Sequence, residues 1–142
     1  MRFERGMRGG WGLAAAAALL ALAAAGCALS TETMGSGKEA RVWRGGKLTK
    51  TYDADYEKVW KACGAVVRDS RLEVESERHD ALVGLIKARR ADRVMVRVEI
   101  EHNDAAGRQV QVSVGVGLLG TDREKQQASE LMDALDRKLG RK

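Results

Sequence analysis

Cysteine is nearly missing from this chain: Cys27 and Cys63 are the only two in 142 residues, too few for a disulfide framework. Long apolar runs are missing as well. The one extended run, Leu13 to Ala25, falls short of the ~20 residues a helix needs to cross about 30 Å of hydrocarbon. Charge of one sign is not in excess. The 25 basic and 20 acidic side chains give a net charge of +5, and without Arg2, Glu4, Arg5 and Arg8 about +3 remains. A strong nucleic-acid reader would concentrate basic charge beside an aromatic ribonucleoprotein pattern or a zinc-finger spacing, so no nucleic-acid partner is expected. There is also no nucleophile elbow, no phosphate-cradling glycine loop with its lysine and no metal-ligand spacing. No enzyme and no cofactor is indicated.

The sequence does contain a leader. A basic start, a short apolar centre and the small residues Ala24-Ala25-Gly26 describe a cleavable secretory signal. Followed by Cys27, those small residues resemble the lipobox of bacterial lipoproteins, in which the thiol is alkylated by a diacylglyceryl group and the chain is cut before it. The likeness implies cleavage between Gly26 and Cys27, lipid on Cys27 and a membrane partner held through that lipid. It departs from the usual pattern in having Ala24 three places before the cysteine. Two or three acyl chains anchor essentially permanently, at about 0.8 kcal/mol per buried methylene. Ala28 and Leu29 replace the aspartate of many inner-membrane retention signals, which points to the periplasmic face of the outer membrane.

Three segments follow: a signal over 1–26, a flexible tether over 27–40 with a coil dimension of about 20 Å, and one domain over 41–142. In that domain Gly45-Gly46 suits a tight hairpin turn. Tyr56, Val59, Trp60, Cys63, Val66 and Val67 form one stripe at helical spacing, with Asp53 as the expected N-cap. Four strands follow. The clearest pair alternates Val94, Val96, Val98 and Ile100, then Val110, Val112, Val114, Val116 and Leu118, against polar residues, which means one face buried and one wet. Thr121 and Glu124 have capping-box spacing ahead of the stripe Ala128, Leu131, Met132, Leu135 and Leu139, with Gly140 as the stop. The expected fold is two-layer α+β, an antiparallel sheet of about five strands with two helices packed on one face.

Few residues suggest chemistry. Cys63 lies on the helix stripe and reads as core. His79 and His102 fall at expected turns without further ligands. Glu99 and Glu101 share a strand face with Arg97, as a solvated charge ladder does. Gly115 and Gly117 can let the sheet bend or admit a close approach to a ligand, and bending is the expectation. Lys87, Arg89, Arg90, Arg93 and Arg97 form a solvated surface, which beside a membrane would also suit anionic head groups. The wet face, with Arg97, Glu99, Glu101, Gln109, Gln111 and Ser113, is the candidate partner surface.

The stretches "GKLTKTYDADYEKVWKA", "ALVGLIKAR", "VMVRVEIE" and "VGVGLLGTDREKQQASELMDAL" resemble a family of small bacterial envelope lipoproteins of the type known as domain of unknown function 3568. The order of elements is also similar to the helix-grip domains found in a lipoprotein component of the outer-membrane β-barrel assembly machine. The first resemblance implies an envelope lipoprotein and brings no catalytic residues; the second is one of architecture alone. Two functions are therefore expected to compete. One is a non-enzymatic module that binds an envelope protein through its exposed sheet face or an edge strand. The other is a carrier or sensor of a small apolar ligand, which requires a cavity lined by Trp60, Val96, Val114 and Leu135.

Overall fold

The structure, a computed structural model, describes residues 32–34, 40–104 and 106–141. Gly45 and Gly46 have φ of +57° and +77°, the two left-handed conformations of a type I′ turn. They join β2 (Arg41–Arg44) to β3 (Lys47–Asp53). A short strand β1 (Glu32–Met34) pairs with β2. After β3 the chain runs through α1 (Tyr56–Asp69) to an antiparallel meander of β4 (Glu73–His79), β5 (Val83–Arg89), β6 (Met95–His102) and β7 (Gln109–Val116), and closes with α2 (Asp122–Lys138). The strands form one antiparallel sheet in the order β1-β2-β3-β7-β6-β5-β4. α1 thus carries the chain from β3 to the far edge, and the meander returns strand by strand until β7 pairs with β3.

The α+β class and the helices on one face are as expected. The sheet has seven strands where about five were expected: the hairpin and the four strands after α1 make six, and the stretch read as tether supplies β1. Both helices cover the face that carries Leu48, Tyr52, Ile86, Val96, Val98, Ile100 and the valines of β7, all nearly inaccessible to solvent. α1 contributes Tyr56, Val59, Cys63, Val66 and Val67; α2 contributes Ala128, Met132 and Leu135. Burying apolar side chains of this size contributes about 1.5–3 kcal/mol each, which is why neither helix stands away from the sheet.

Several local expectations are corrected. The N-cap of α1 is Asp55, whose carboxylate accepts from the Lys58 amide at 3.1 Å; Asp53 still belongs to β3 and accepts from Gln109. Leu118 does not continue the buried row, because β7 ends at Val116 and Gly117 turns the chain at φ +64°. Trp60 is only partly buried and packs on the rim of the core. His79 and His102 are the last residues of β4 and β6, not turn residues. The capping box of α2 and the left-handed Gly140 after it are present as expected.

Candidate functional site

Antiparallel pairing sets Arg97, Glu99 and Glu101 on β6 beside Gly115, Ser113 and Gln111 on β7, and Gln109 sits opposite Asp53 on β3. All six candidate residues lie on the face away from the helices, as the alternation requires. They are not equally exposed. Arg97 and Glu101 are exposed, while Ser113 is 8% exposed and its hydroxyl lies 3.0 Å from that of Thr49. Lys47 crosses over Gly115 to reach Glu99 at 2.5 Å, and Arg97 lies 3.8 Å from the same carboxylate. A Cβ on Gly115 would stand 3.4 Å from Lys47 Cγ, so the missing side chain keeps that lane open. The result is a shallow polar surface of short hydroxyl and amide groups framed by an ion-paired row.

At the end of the sheet where α1 stops and α2 starts, an open groove of about 730 Å³ lies between the two helices and the loop after β5. Leu72, Val96, Val116, Leu131 and Ala134 give it an apolar lining, with Arg71, Arg90, Arg123 and Arg137 around them. Arg90 is paired with Asp92 at 2.7 Å. The groove shares only Val96 with the expected cavity: Val114 and Leu135 are 2% exposed within the packed core, and Trp60 lies over Gly84. Next to the groove, Gly117 and Gly120 both adopt φ of +64°. Between them Leu118 and Leu119 are 96% and 84% exposed. Gly117 bends the chain out of β7 and is a close-approach position as well: a Cβ there would lie 1.7 Å from Glu124 Oε1. The approaching group is the chain's own capping carboxylate. It accepts a hydrogen bond from the amide of Thr121 at 2.8 Å, and this bond, with the nearby backbone of Leu119 and Leu118, holds its pKa below the usual range.

A family model described as protein of unknown function (DUF3568) matches residues 12–138, most of the chain. The chain belongs to that family. A comparison with curated proteins finds no match. Membership of DUF3568 names no active group, so the chemistry has to be read from the side chains. Among the described residues no three His, Cys, Asp or Glu side chains converge as a metal site, and no helix is long and apolar enough to cross a membrane. Gly26 and Cys27, the expected cleavage and lipidation positions, lie outside the described residues.

Two polar groupings escape a reading of sequence alone. In the first, Tyr56 stacks on His102 with ring centroids 4.7 Å apart and on His79 at 5.7 Å, and His79 stacks on Trp60 at 4.6 Å. The two histidines thus meet through Tyr56. Glu57 lies 3.0 Å from His79 Nε2, and the buried Nδ1 of His102 has no hydrogen-bond partner among the described residues. A bulge between Val74 and Ser76 shifts the register of β4. It carries His79 onto the helix-facing side opposite Gly84, a change that period-two patterning does not anticipate.

The second grouping lies under α2. Lys50, 4% exposed, places its ammonium 2.9 Å from both oxygens of Asp136. Tyr52 donates to Asp136 at 2.8 Å, and Arg41 bridges Asp136 and Asp133 at 2.7 and 2.5 Å. Burial alone would raise the Asp136 pKa, but hydrogen bonds from Lys50, Arg41 and Tyr52 outweigh it and hold the carboxylate below its ordinary value. Burial, with the Asp136 charge, pushes the Tyr52 phenol far up. Burial pushes the Cys63 thiol up to about 12, so it is not a thiolate nucleophile at neutral pH. The arrangement fastens α2 to β2 and β3.

Proposed function

We propose that this DUF3568 protein is a lipid-anchored lipoprotein of the bacterial cell envelope, exported, cut before Cys27 and held at the periplasmic face of the outer membrane, where it acts as a non-enzymatic protein-interaction module. The leader and its Gly26-Cys27 junction support the anchor. The single observation that supports the interaction role is the division of the sheet: one face is filled by two helices, while the other, among the described residues, has no covering layer and carries Arg97, Glu99, Glu101, Gln109 and Gln111. The edge β4 is a poorer docking strand, since its bulge and the charges of Glu73, Glu75, Glu77 and Arg78 oppose the pairing of another strand.

Site-specific photo-crosslinking in cells, with the reactive group placed at Thr51 or Gln111, tests the partner face. A discrete adduct that disappears when Arg97 and Glu99 are reversed in charge is expected; equal yields from Thr51 and from the helix-surface position Lys61 would overturn it. Mass spectrometry of the mature N-terminus tests the anchor, and an unmodified Cys27 would sink it. The alternative, a carrier or sensor of an apolar ligand, is favoured by one feature, the arginine-rimmed groove. That groove suits an anionic amphiphile better than a neutral one, because its four guanidinium groups outnumber the two carboxylates, Asp92 and Glu130, that line it with them. Saturable displacement of a fluorescent fatty acid there would support this reading.

A further inference from the structure

Three features converge at the end of the sheet where α2 begins. The first is the loop after β7. Glu124 accepts from the Thr121 amide and its carboxylate passes where Gly117 has no Cβ, Trp43 lies against Gly120, and the two leucine side chains are turned out into water. A loop whose backbone is held this way presents Leu118 and Leu119 as a fixed apolar tip, of the kind that marks an interaction site when polar groups rim it.

The second feature is the rim. Arg71 and Arg123 lie on either side of the adjoining groove, with Arg90 and Arg137 along it. The side chains of Arg71, Arg123 and Arg137 make no ion pair or hydrogen bond with any other described residue; of the two acidic groups that line the groove, Asp92 is paired with Arg90 and Glu130 accepts a hydrogen bond from Gln126, so the guanidinium groups outnumber the carboxylates there. An apolar tip beside uncommitted guanidinium groups is complementary to a surface that is anionic outside and apolar beneath.

The third is the direction of the chain. β1 runs antiparallel to β2 with Glu32 opposite Trp43 and Met34 opposite Arg41, so the first residue of β1 lies toward the end of the sheet that carries Gly45 and Gly46. Trp43 itself packs against Gly120 of the leucine loop. Cys27 precedes Glu32 by five residues, which span at most about 18 Å. A lipid on Cys27 therefore draws the leucine loop, and not the opposite end of the sheet, toward the bilayer.

From these we infer that the anchored domain docks end-on against an anionic phospholipid surface, inserting Leu118 and Leu119 while Arg71 and Arg123 meet phosphate groups. This rests on the reading of Cys27 as lipidated. Docked in this way, the sheet face that carries Arg97 and Gln111 stands roughly upright on the membrane and stays open to a partner.

The test uses the full chain, expressed in a bacterial host and reconstituted as the mature protein into vesicles of phosphatidylethanolamine with phosphatidylglycerol, or of phosphatidylcholine alone. Leu118→Cys, and Leu82→Cys as a control at the opposite end and itself 70% exposed, are labelled with an environment-sensitive dye; Cys63 is buried and stays silent. The label at position 118 should shift to the blue and be quenched by lipid-borne nitroxide in the anionic vesicles, the label at 82 should do neither, and Arg71→Glu with Arg123→Glu should abolish the shift. Equal solvent exposure at the two positions, or a shift that is the same in phosphatidylcholine, overturns the docking. So does a position-118 photo-crosslink that captures protein and not lipid. Dye uptake by the unsubstituted chain would reveal a free thiol at Cys27, and that separate result overturns the anchor.

Discussion

Lys50 sits in "KLTKTYD", where a lysine between two threonines suggests a wet strand position, yet it is among the least exposed side chains of the protein. The inward phase of β3 places it opposite Val112, and only the arrival of Asp136 from α2 makes that position tenable for a charge. Taking away one partner of such a pair leaves the other buried without compensation. Asp136→Ala should therefore destabilise by about 3–5 kcal/mol, and Lys50→Met combined with Asp136→Leu should recover most of the loss. Urea melts of wild type and the two variants decide it, and a double variant no better than the single would show that the pair is not the cause. The sign of the pH effect follows from the lowered Asp136 pKa. Its contribution is complete above the ordinary carboxylate pKa and is lost as pH falls through the lower folded value, so wild type should lose stability on acidification below about pH 4 more steeply than the double variant.

Glycines at the joints between elements show how tertiary neighbours decide what a local pattern leaves open. A Cβ on Gly84 would stand 2.7 Å from Trp60 Cε3 and 2.9 Å from the Tyr56 hydroxyl oxygen. Gly84→Ala should thus lift α1 off β5 at a cost of about 1–3 kcal/mol, with a changed near-ultraviolet signal from Trp60. At the start of α2, Gly117→Ala meets both left-handed backbone, costing about 1–2 kcal/mol, and the Glu124 carboxylate. Its melting temperature should fall, and far-ultraviolet circular dichroism should show a shortened helix; an unchanged melt would mean that the loop rearranges freely. Thr121 and Glu124 were legible as a capping box because their relation is local. The role of Gly117 was not, since it depends on where that carboxylate comes to rest. In the same way the valine rows predicted the buried face from their period of two, but the bulge in β4, which moves His79 under Trp60, has no signature in "EVESERH". Of the candidate partner face, the alternation placed all six residues correctly on the outer side and could not foresee that Thr49 would bury Ser113.

For the whole molecule, the physical question is whether the anchor and the fold are separable. Every residue of the described core lies between Trp43 and Leu135, and β1 touches the rest of the fold through β2 alone among the described elements. Among the described residues the core closes without β1, so chemistry at Cys27 should change location without changing stability. Cys27→Ser is expected to remove the protein from the membrane fraction under high-salt washing, which strips electrostatic attachment, while the exported domain keeps its unfolding free energy to within about 0.5 kcal/mol, the usual range for a change away from packed or strained positions. Fractionation and urea melts on the same preparation check both halves. A variant that remains in the membrane fraction would deny that lipid on Cys27 is the attachment. One that leaves the membrane and also melts early would show the N-terminal segment to be part of the fold, which would couple the anchor to the sheet through β1.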